Sequence, residues 1–182
     1  WDLYQNSEQE SRNAASDIYE EILALTLKTD NEPLSDSERE NIISYGQQLR
    51  EEYPTSSYAS VGTLFAAAAE VENRNLSQAE ILLNWILENS TGGLFSSTED
   101  GLLLTTKLRL GRVLLAQGDA ARALDFVNTV DPKEFETGFA ELRGDIYVAL
   151  DQLEEAQDAY SIAQQAGSNS DALRMKLQEL AN

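Results

Sequence analysis

The sequence reads KLRLGRVLLAQGDAARALDFV at 107–127 and AELRGDIYVALDQLEEAQDAY at 140–160, and the two stretches share one pattern. Small residues stand at matching places, with Gly111 and Ala123 in the first copy and Gly144 and Ala156 in the second. The copies are 33 residues apart, and within each copy the two small residues are 12 apart. This spacing lets two antiparallel helices approach closely. Such a helix pair cannot bury its apolar face alone, so the pattern predicts neighbouring pairs that stack.

A third copy of the pattern precedes these two. Ala67 and Ala79 are also 12 residues apart, and Ala79 lies 44 residues before Ala123 rather than 33. The extra 11 residues fit a loop around Gly92-Gly93, which is rich in Ser and Thr. We therefore expect an earlier helix pair, with Ala67 in place of the glycine.

The remaining segments extend this reading to an all-α fold, because no strand-type alternation occurs. We predict a single repeat domain over 1–182. It comprises an N-terminal helical pair at 1–53, repeat-like pairs at 55–90, 98–130 and 132–166, and a capping helix at 169–182.

Polar residues at the expected helix starts predict how the helices begin. Ser35 followed by Glu38 predicts a capping box. Asp131 before Pro132, Asp151 and Ser168 are the expected N-caps of the last three helices.

Composition excludes several classes of function. The chain has 182 residues, 42% of them hydrophobic, and a net charge of −19, which disfavours nucleic acid and anionic lipid as partners. It contains no Cys and no His, so thiolate metal sites, Cys nucleophiles and the commonest general base are absent. No catalytic constellation and no phosphate-binding loop is recognisable. We expect no metal site, no cofactor and no enzymatic activity.

The repeats resemble tetratricopeptide repeats, which have a period of about 34 residues. Further stretches extend the resemblance to one family: Tyr58-Ala59-Ser60, the segment LRLGRVL at 108–114 and the segment AELRGD at 140–145. These look like the YfgM family of ancillary subunits of the Sec translocon. The resemblance implies a single inner-membrane helix upstream of Trp1, a periplasmic repeat domain, and association with SecYEG and with the membrane-anchored chaperone PpiD. The aromatic residues Trp1 and Tyr4 either belong to a frayed or packed terminus or suit the membrane boundary beside such an anchor.

In this kind of repeat, the resemblance implies that the first helix of each pair lines the partner-binding groove. With Gly111 and Gly144 at the eighth repeat position, the expected lining residues are Val61, Leu64, Ala68, Val71, Leu108, Arg112, Leu115, Glu141, Asp145 and Val148. One basic cluster lies close by, formed by Lys107, Arg109, Arg112 and Arg122. Its charges either balance neighbouring acids at the surface or anchor an acidic or carbonyl-bearing partner.

The function expected from these observations is a non-enzymatic docking domain that holds a PpiD-like chaperone near SecYEG and assists export. A generic soluble repeat adaptor of another complex is the alternative, and an enzyme resting on carboxylates alone is a third reading. An upstream apolar stretch of about 20 residues would separate the first reading from the second.

Overall fold

The computed structural model describes residues 2–28, 32–90 and 97–181, and all regular structure in these ranges is helical. In chain order the helices are α1 (Asp2–Thr26), α2 (Asp36–Glu52), α3 (Ser57–Glu72), α4 (Leu76–Asn89), α5 (Ser97–Ala116), α6 (Ala120–Asn128), α7 (Glu136–Ala149), α8 (Leu153–Gln165) and α9 (Asp171–Leu180). A short 3-10 turn, Lys133–Phe135, precedes α7. Consecutive helices pack in pairs, so the predicted all-α class and its repeat-like pairing are confirmed. The Gly92-Gly93 loop and Trp1 lie outside the described residues.

The chain divides into two compact units, 1–103 and 104–182. In the first unit α1, α2 and α3 share one apolar core, because each presents buried residues at helical spacing. Its fully buried members are Ala15, Ile22, Ile42, Leu49, Ala59 and Ala69.

The second unit has its own core between α7, α8 and α9. Its buried members include Ala140, Ala156, Tyr160, Ala163 and Leu173. Phe139 and Ile146 of α7 are fully buried in the same unit. The repeat alanines Ala123 and Ala156 are also inaccessible to solvent, as their spacing predicts.

A close approach between α7 and α8 explains the glycine of the last repeat. A Cβ at Gly144 would overlap Cε1 of Tyr160, so the tyrosine ring fills the space that a side chain would need. At Gly111, the equivalent position, a Cβ would lie 2.8 Å from Cδ2 of Leu142. Both glycines are therefore required by packing rather than by backbone conformation.

The turn inside each repeat has the same backbone geometry three times. Arg74, Gly118 and Asp151 adopt positive φ angles of 63°, 85° and 58°. The next residue in each copy donates its N–H to a carbonyl five positions back, with N···O distances of 2.8, 3.2 and 2.9 Å. This arrangement is a Schellman motif, which ends a helix with a left-handed residue and satisfies its last carbonyls. The shared turn supports the three-copy register that the small residues predict.

The helix starts agree with the sequence at α2 and differ elsewhere. Ser35 Oγ accepts a hydrogen bond from the Glu38 N–H, and a Glu38 carboxylate oxygen accepts one from the Ser35 N–H at 2.7 Å, so the predicted capping box is confirmed. Pro54 follows soon after α2, which ends at Glu52, in keeping with the restriction that proline places on the residue before it.

Three predicted N-caps are wrong. Asp151 is the left-handed turn residue, and Gln152 occupies the cap of α8 without a side-chain bond. Ser170, not Ser168, caps α9 by accepting from the Leu173 N–H. Asp131 accepts from the Lys133 N–H, but a 3-10 turn follows, so α7 begins at Glu136. Asp131 thus satisfies a local turn instead of a helix end, a competition that sequence spacing does not resolve.

Candidate partner-binding face

Nine of the ten residues expected to line the groove fall on three repeat positions of α3, α5 and α7. The rows are Leu64, Leu108 and Glu141; Ala68, Arg112 and Asp145; and Val71, Leu115 and Val148. Val61 lies on α3, half-buried and outside these rows. The α3 residues belong to the first unit and the others to the second, and each unit is described by itself.

Val71, Leu115 and Val148, termed here the apolar row, lie directly before the repeated turn. Their carbonyls accept the N–H of Arg74, Gly118 and Asp151 at 2.9, 2.9 and 3.0 Å. Val71 is 41% exposed and Val148 is 42% exposed, while Leu115 is half-buried. The same turn therefore follows an exposed valine in the first and last copies and a half-buried leucine in the middle copy.

The structure buries Leu108, which the sequence analysis placed on the groove lining. Leu108 is only 9% exposed. Its Cδ2 would lie 2.9 Å from a Cβ placed on Gly138. It thus packs against the start of α7. Leu64 and Ala68 on α3 are half-buried.

The predicted basic cluster divides into buried and exposed members. Arg112 is exposed on α5, whereas Arg109 and Lys107 are half-buried on the same helix. Burial, and then the positive charge of Arg112, lowers the pKa of the Arg109 guanidinium. Arg122 is exposed at the start of α6, where its N–H donates to Asp119. Among the cluster members on α5, Arg112 is therefore the most accessible to a partner.

The acidic members of the predicted groove are already paired within the chain. Lys176 Nζ of α9 lies 3.0 Å from Glu141 Oε1 and 2.7 Å from Asp145 Oδ1. The Tyr160 hydroxyl donates to the same Asp145 oxygen at 2.7 Å, and Lys176 Nζ lies 5.5 Å from the centre of the Tyr160 ring. We call Glu141, Asp145, Tyr160 and Lys176 the α7–α9 cluster.

Titration of the cluster follows from these contacts. Burial, followed by the hydrogen bond to Asp145, raises the pKa of the Tyr160 phenol. Burial alone would lower the pKa of Lys176, but its hydrogen bonds to Asp145 and Glu141 outweigh that effect and the pKa is raised. The cluster therefore holds an ammonium group between two carboxylates and an aromatic face.

Lys176 is the residue of this site that the sequence analysis missed. Its position could have been inferred from the repeat register. A helix that follows α8 takes the position of the first helix of a next repeat, and such a helix would pack beside α7.

In the first unit, Arg39 joins α2 to the end of α3 in a comparable way. Its Nε donates to Asn73 Oδ1 at 2.5 Å, and its guanidinium also contacts the Leu34 carbonyl and the Asp36 carboxylate. The side chain is largely buried, which marks it as a packing element rather than a binding residue.

Over residues 2–28, 32–90 and 97–181, no cluster of acidic residues could hold a metal ion. Across those ranges no helix combines the length and apolar character needed to cross a bilayer.

Comparison with known proteins places these features in a family. A model of the tetratricopeptide repeat-like domain matches residues 1–182. An ancillary SecYEG translocon subunit of Neisseria gonorrhoeae is 32% identical over 137 residues, which is 73% of this chain and 62% of that protein's length. An ancillary SecYEG translocon subunit of Aggregatibacter actinomycetemcomitans is 27% identical over 97% of this chain and 78% of its own length. No solved structure matches the chain significantly.

The resemblance derived from the sequence motifs is thus confirmed by two relatives that carry the same name. The family model spans the full chain, and its repeat character agrees with the three equivalent turns. This chain belongs to the family of tetratricopeptide repeat-like domains.

Proposed function

We propose that this chain is the partner-binding domain of an ancillary subunit of the SecYEG translocon. The observation that carries the proposal is the exposed valine before the repeated turn, which is Val71 in the first unit and Val148 in the second. Both relatives are named ancillary SecYEG translocon subunits. Stacked helix pairs supply extended surfaces for protein contacts, and we infer a non-enzymatic role.

The finer part of the proposal concerns partner and place. The domain docks a PpiD-like chaperone beside SecYEG on the periplasmic face of a bacterial inner membrane. The family resemblance of the sequence motifs supports this assignment, and the net charge of −19 favours protein contacts over nucleic acid or anionic lipid. Arg112 next to the apolar row would give the docking contact its orientation.

Capture of purified SecYEG tests the docking face directly. Val71→Glu and Val148→Glu each place a charge in the apolar row, and we expect each to weaken capture by about tenfold or more, as truncation of a binding hot spot does. Leu108→Glu is unsuitable, because Leu108 is buried and its replacement would disturb folding.

The matched controls are Ile81→Glu and Ile162→Glu. Ile81 on α4 and Ile162 on α8 are exposed apolar residues of second helices, and Ile162 is 47% exposed, close to Val148. Retained capture by these controls supports docking on the first helices of the repeats, where Val71 and Val148 lie. Equal loss in controls and test variants, or undiminished capture by folded Val71→Glu and Val148→Glu, would place the docking site elsewhere.

Localisation and chaperone docking require the complete gene product. We expect it to fractionate with inner membranes and to become accessible to protease when the outer membrane is opened. Affinity purification from those membranes should recover a PpiD-like chaperone together with SecYEG. Protection from protease in intact spheroplasts would instead assign the domain to the cytoplasmic side.

A further inference from the structure

Helix α9 is seated on the second unit by one apolar face and one charge. Leu173 is the one fully buried residue of α9, with 1% exposure, in a cluster with Ala140 of α7 and Ala163 of α8. Leu177 and Leu180 are partly buried and pack against the same cluster. Lys176, one turn later, reaches Glu141 and Asp145. Leu173 and Lys176 lie on one face of the helix because residues three apart are neighbours on a helix surface.

The opposite face of α9 contributes little to this attachment. Ala172, Met175, Gln178 and Glu179 are exposed. Arg174 pairs with Asp171 on its own helix rather than with α7 or α8. A ten-residue helix is also marginal without tertiary contacts. Elements with few buried apolar contacts open at lower free energy than the core that they cover.

The position that α9 occupies is the one expected to receive a partner. Glu141 and Asp145 belong to two of the three repeat rows on α7, and those rows follow from the repeat register without any knowledge of α9. The chain's own helix therefore covers two of the three lining residues of the last repeat and leaves Val148 accessible.

We propose that α9 is an autoinhibitory segment, and that a partner helix carrying the pattern Leu-x-x-Lys or Leu-x-x-Arg displaces it from α7. This inference rests on the proposed function, because it names the chemistry of the partner at the same face. The partner's leucine takes the place of Leu173, and its cation takes the place of Lys176. Two carboxylates and the Tyr160 ring suit an ammonium or guanidinium group, and the net charge of −19 attracts a basic segment.

A synthetic peptide with the sequence of residues 168–181 serves as the probe, since it carries both Leu173 and Lys176. Its fluorescence anisotropy is measured with three versions of the complete chain: wild type, Lys176→Gln and Arg174→Gln. The two variants remove one positive charge each from α9, but only Lys176 contacts α7. We expect the peptide to bind the Lys176→Gln chain about fivefold more tightly than the other two, because the competing α9 is held more weakly there.

A second peptide with Lys176→Glu controls for non-specific association. It should bind all three chains weakly and equally. Equal affinity of the original peptide for the three chains would overturn the proposal, as would undiminished binding of the Lys176→Glu peptide.

Hydrogen exchange of the wild-type chain gives a test that needs no variant. We expect the amides of α9 to exchange at least tenfold faster than those of α8, which reflects independent opening. Exchange of α9 and α8 at one common rate would show that α9 is an integral part of the repeat stack, and would refute displacement.

The same variants separate this inference from the proposed function. Lys176→Gln should increase SecYEG capture several-fold, while Arg174→Gln leaves it unchanged. If no version of the chain captures SecYEG, the proposed function fails, and the peptide and exchange results still decide whether α9 is displaceable. If all versions capture SecYEG equally, docking stands and autoinhibition is refuted.

Discussion

Asp151 adopts the same left-handed backbone conformation as Gly118, the residue 33 positions before it in the repeat. Their φ angles are 58° and 85°, and Arg74 in the earlier copy has a φ of 63°. For a residue with a Cβ this conformation costs about 1–2 kcal/mol, which glycine avoids. The turn is thus kept in all three copies although only one has the residue best suited to it.

Opposite effects on stability are expected from opposite substitutions at this one repeat position. Gly118→Ala should lower the free energy of unfolding by about 1 kcal/mol, and Arg74→Gly should raise it by about the same amount. Urea denaturation of the two variants beside the wild type measures both. Gly101→Ala in α5 is the control, because a Cβ there meets nothing within 4 Å and alanine should stabilise the helix. If Gly118→Ala and Gly101→Ala changed the free energy of unfolding in the same direction, the turn assignment would be contradicted.

Overpacking is expected at Gly144. A methyl group there would overlap the Tyr160 ring, so Gly144→Ala should cost about 1–3 kcal/mol and lower the melting temperature. In the double variant with Tyr160→Ala the penalty should be much smaller, since the ring that clashes is gone. Additive losses in a double-mutant cycle would show that the two residues do not meet.

The capping box of α2 should make stability depend on acid pH. The Ser35 backbone N–H, and then the Lys28 ammonium group, lower the pKa of Glu38 from 4.5 to about 2. The contribution of Glu38 is therefore fully present above about pH 5 and is lost as the pH falls towards 2. The difference in unfolding free energy between wild type and Glu38→Gln should be constant near neutrality and shrink in that window. A difference that stays constant down to pH 2 would contradict this assignment.

Arg112 should affect the rate of docking more than its strength. We expect Arg112→Gln to slow association with SecYEG about threefold at low ionic strength, and to have little effect at 0.5 M salt, where the screening length is only a few ångströms. Arg122→Gln removes the same charge from the second helix α6 and should leave the rate unchanged. An effect of Arg112→Gln that persists at high salt would indicate a direct, buried contact instead.

Much of the fold is predictable from the sequence because the repeat depends on small residues at fixed spacing. Gly111, Ala123, Gly144 and Ala156 set helix positions, helix pairing and register together, and all four are buried. The boundaries are less predictable, because short polar residues satisfy several local hydrogen bonds equally well. Ser168 and Ser170 both precede α9, and only the packing of Leu173 selects the second as its cap.

The candidate site is predictable as a set of positions but not as a set of exposed groups. Register assigns Leu108 and Val148 to one face, yet Leu108 is covered by the start of α7 around Gly138. The pairing of Glu141 with Lys176 spans 35 residues and depends on how α9 folds back. Contacts between distant segments of this kind are fixed by tertiary packing, which local sequence patterns do not encode.

The ion pairs of Lys176 also determine how this lysine reacts. Amine-reactive reagents attack only the unprotonated form, and the raised pKa of Lys176 keeps that form scarcer than in a lysine of ordinary pKa. Acylation of Lys176 should therefore be slow while α9 is docked and should accelerate when it detaches. With only four lysines in the chain, mass spectrometry of acylated peptides can follow the state of α9 inside a complete translocon complex.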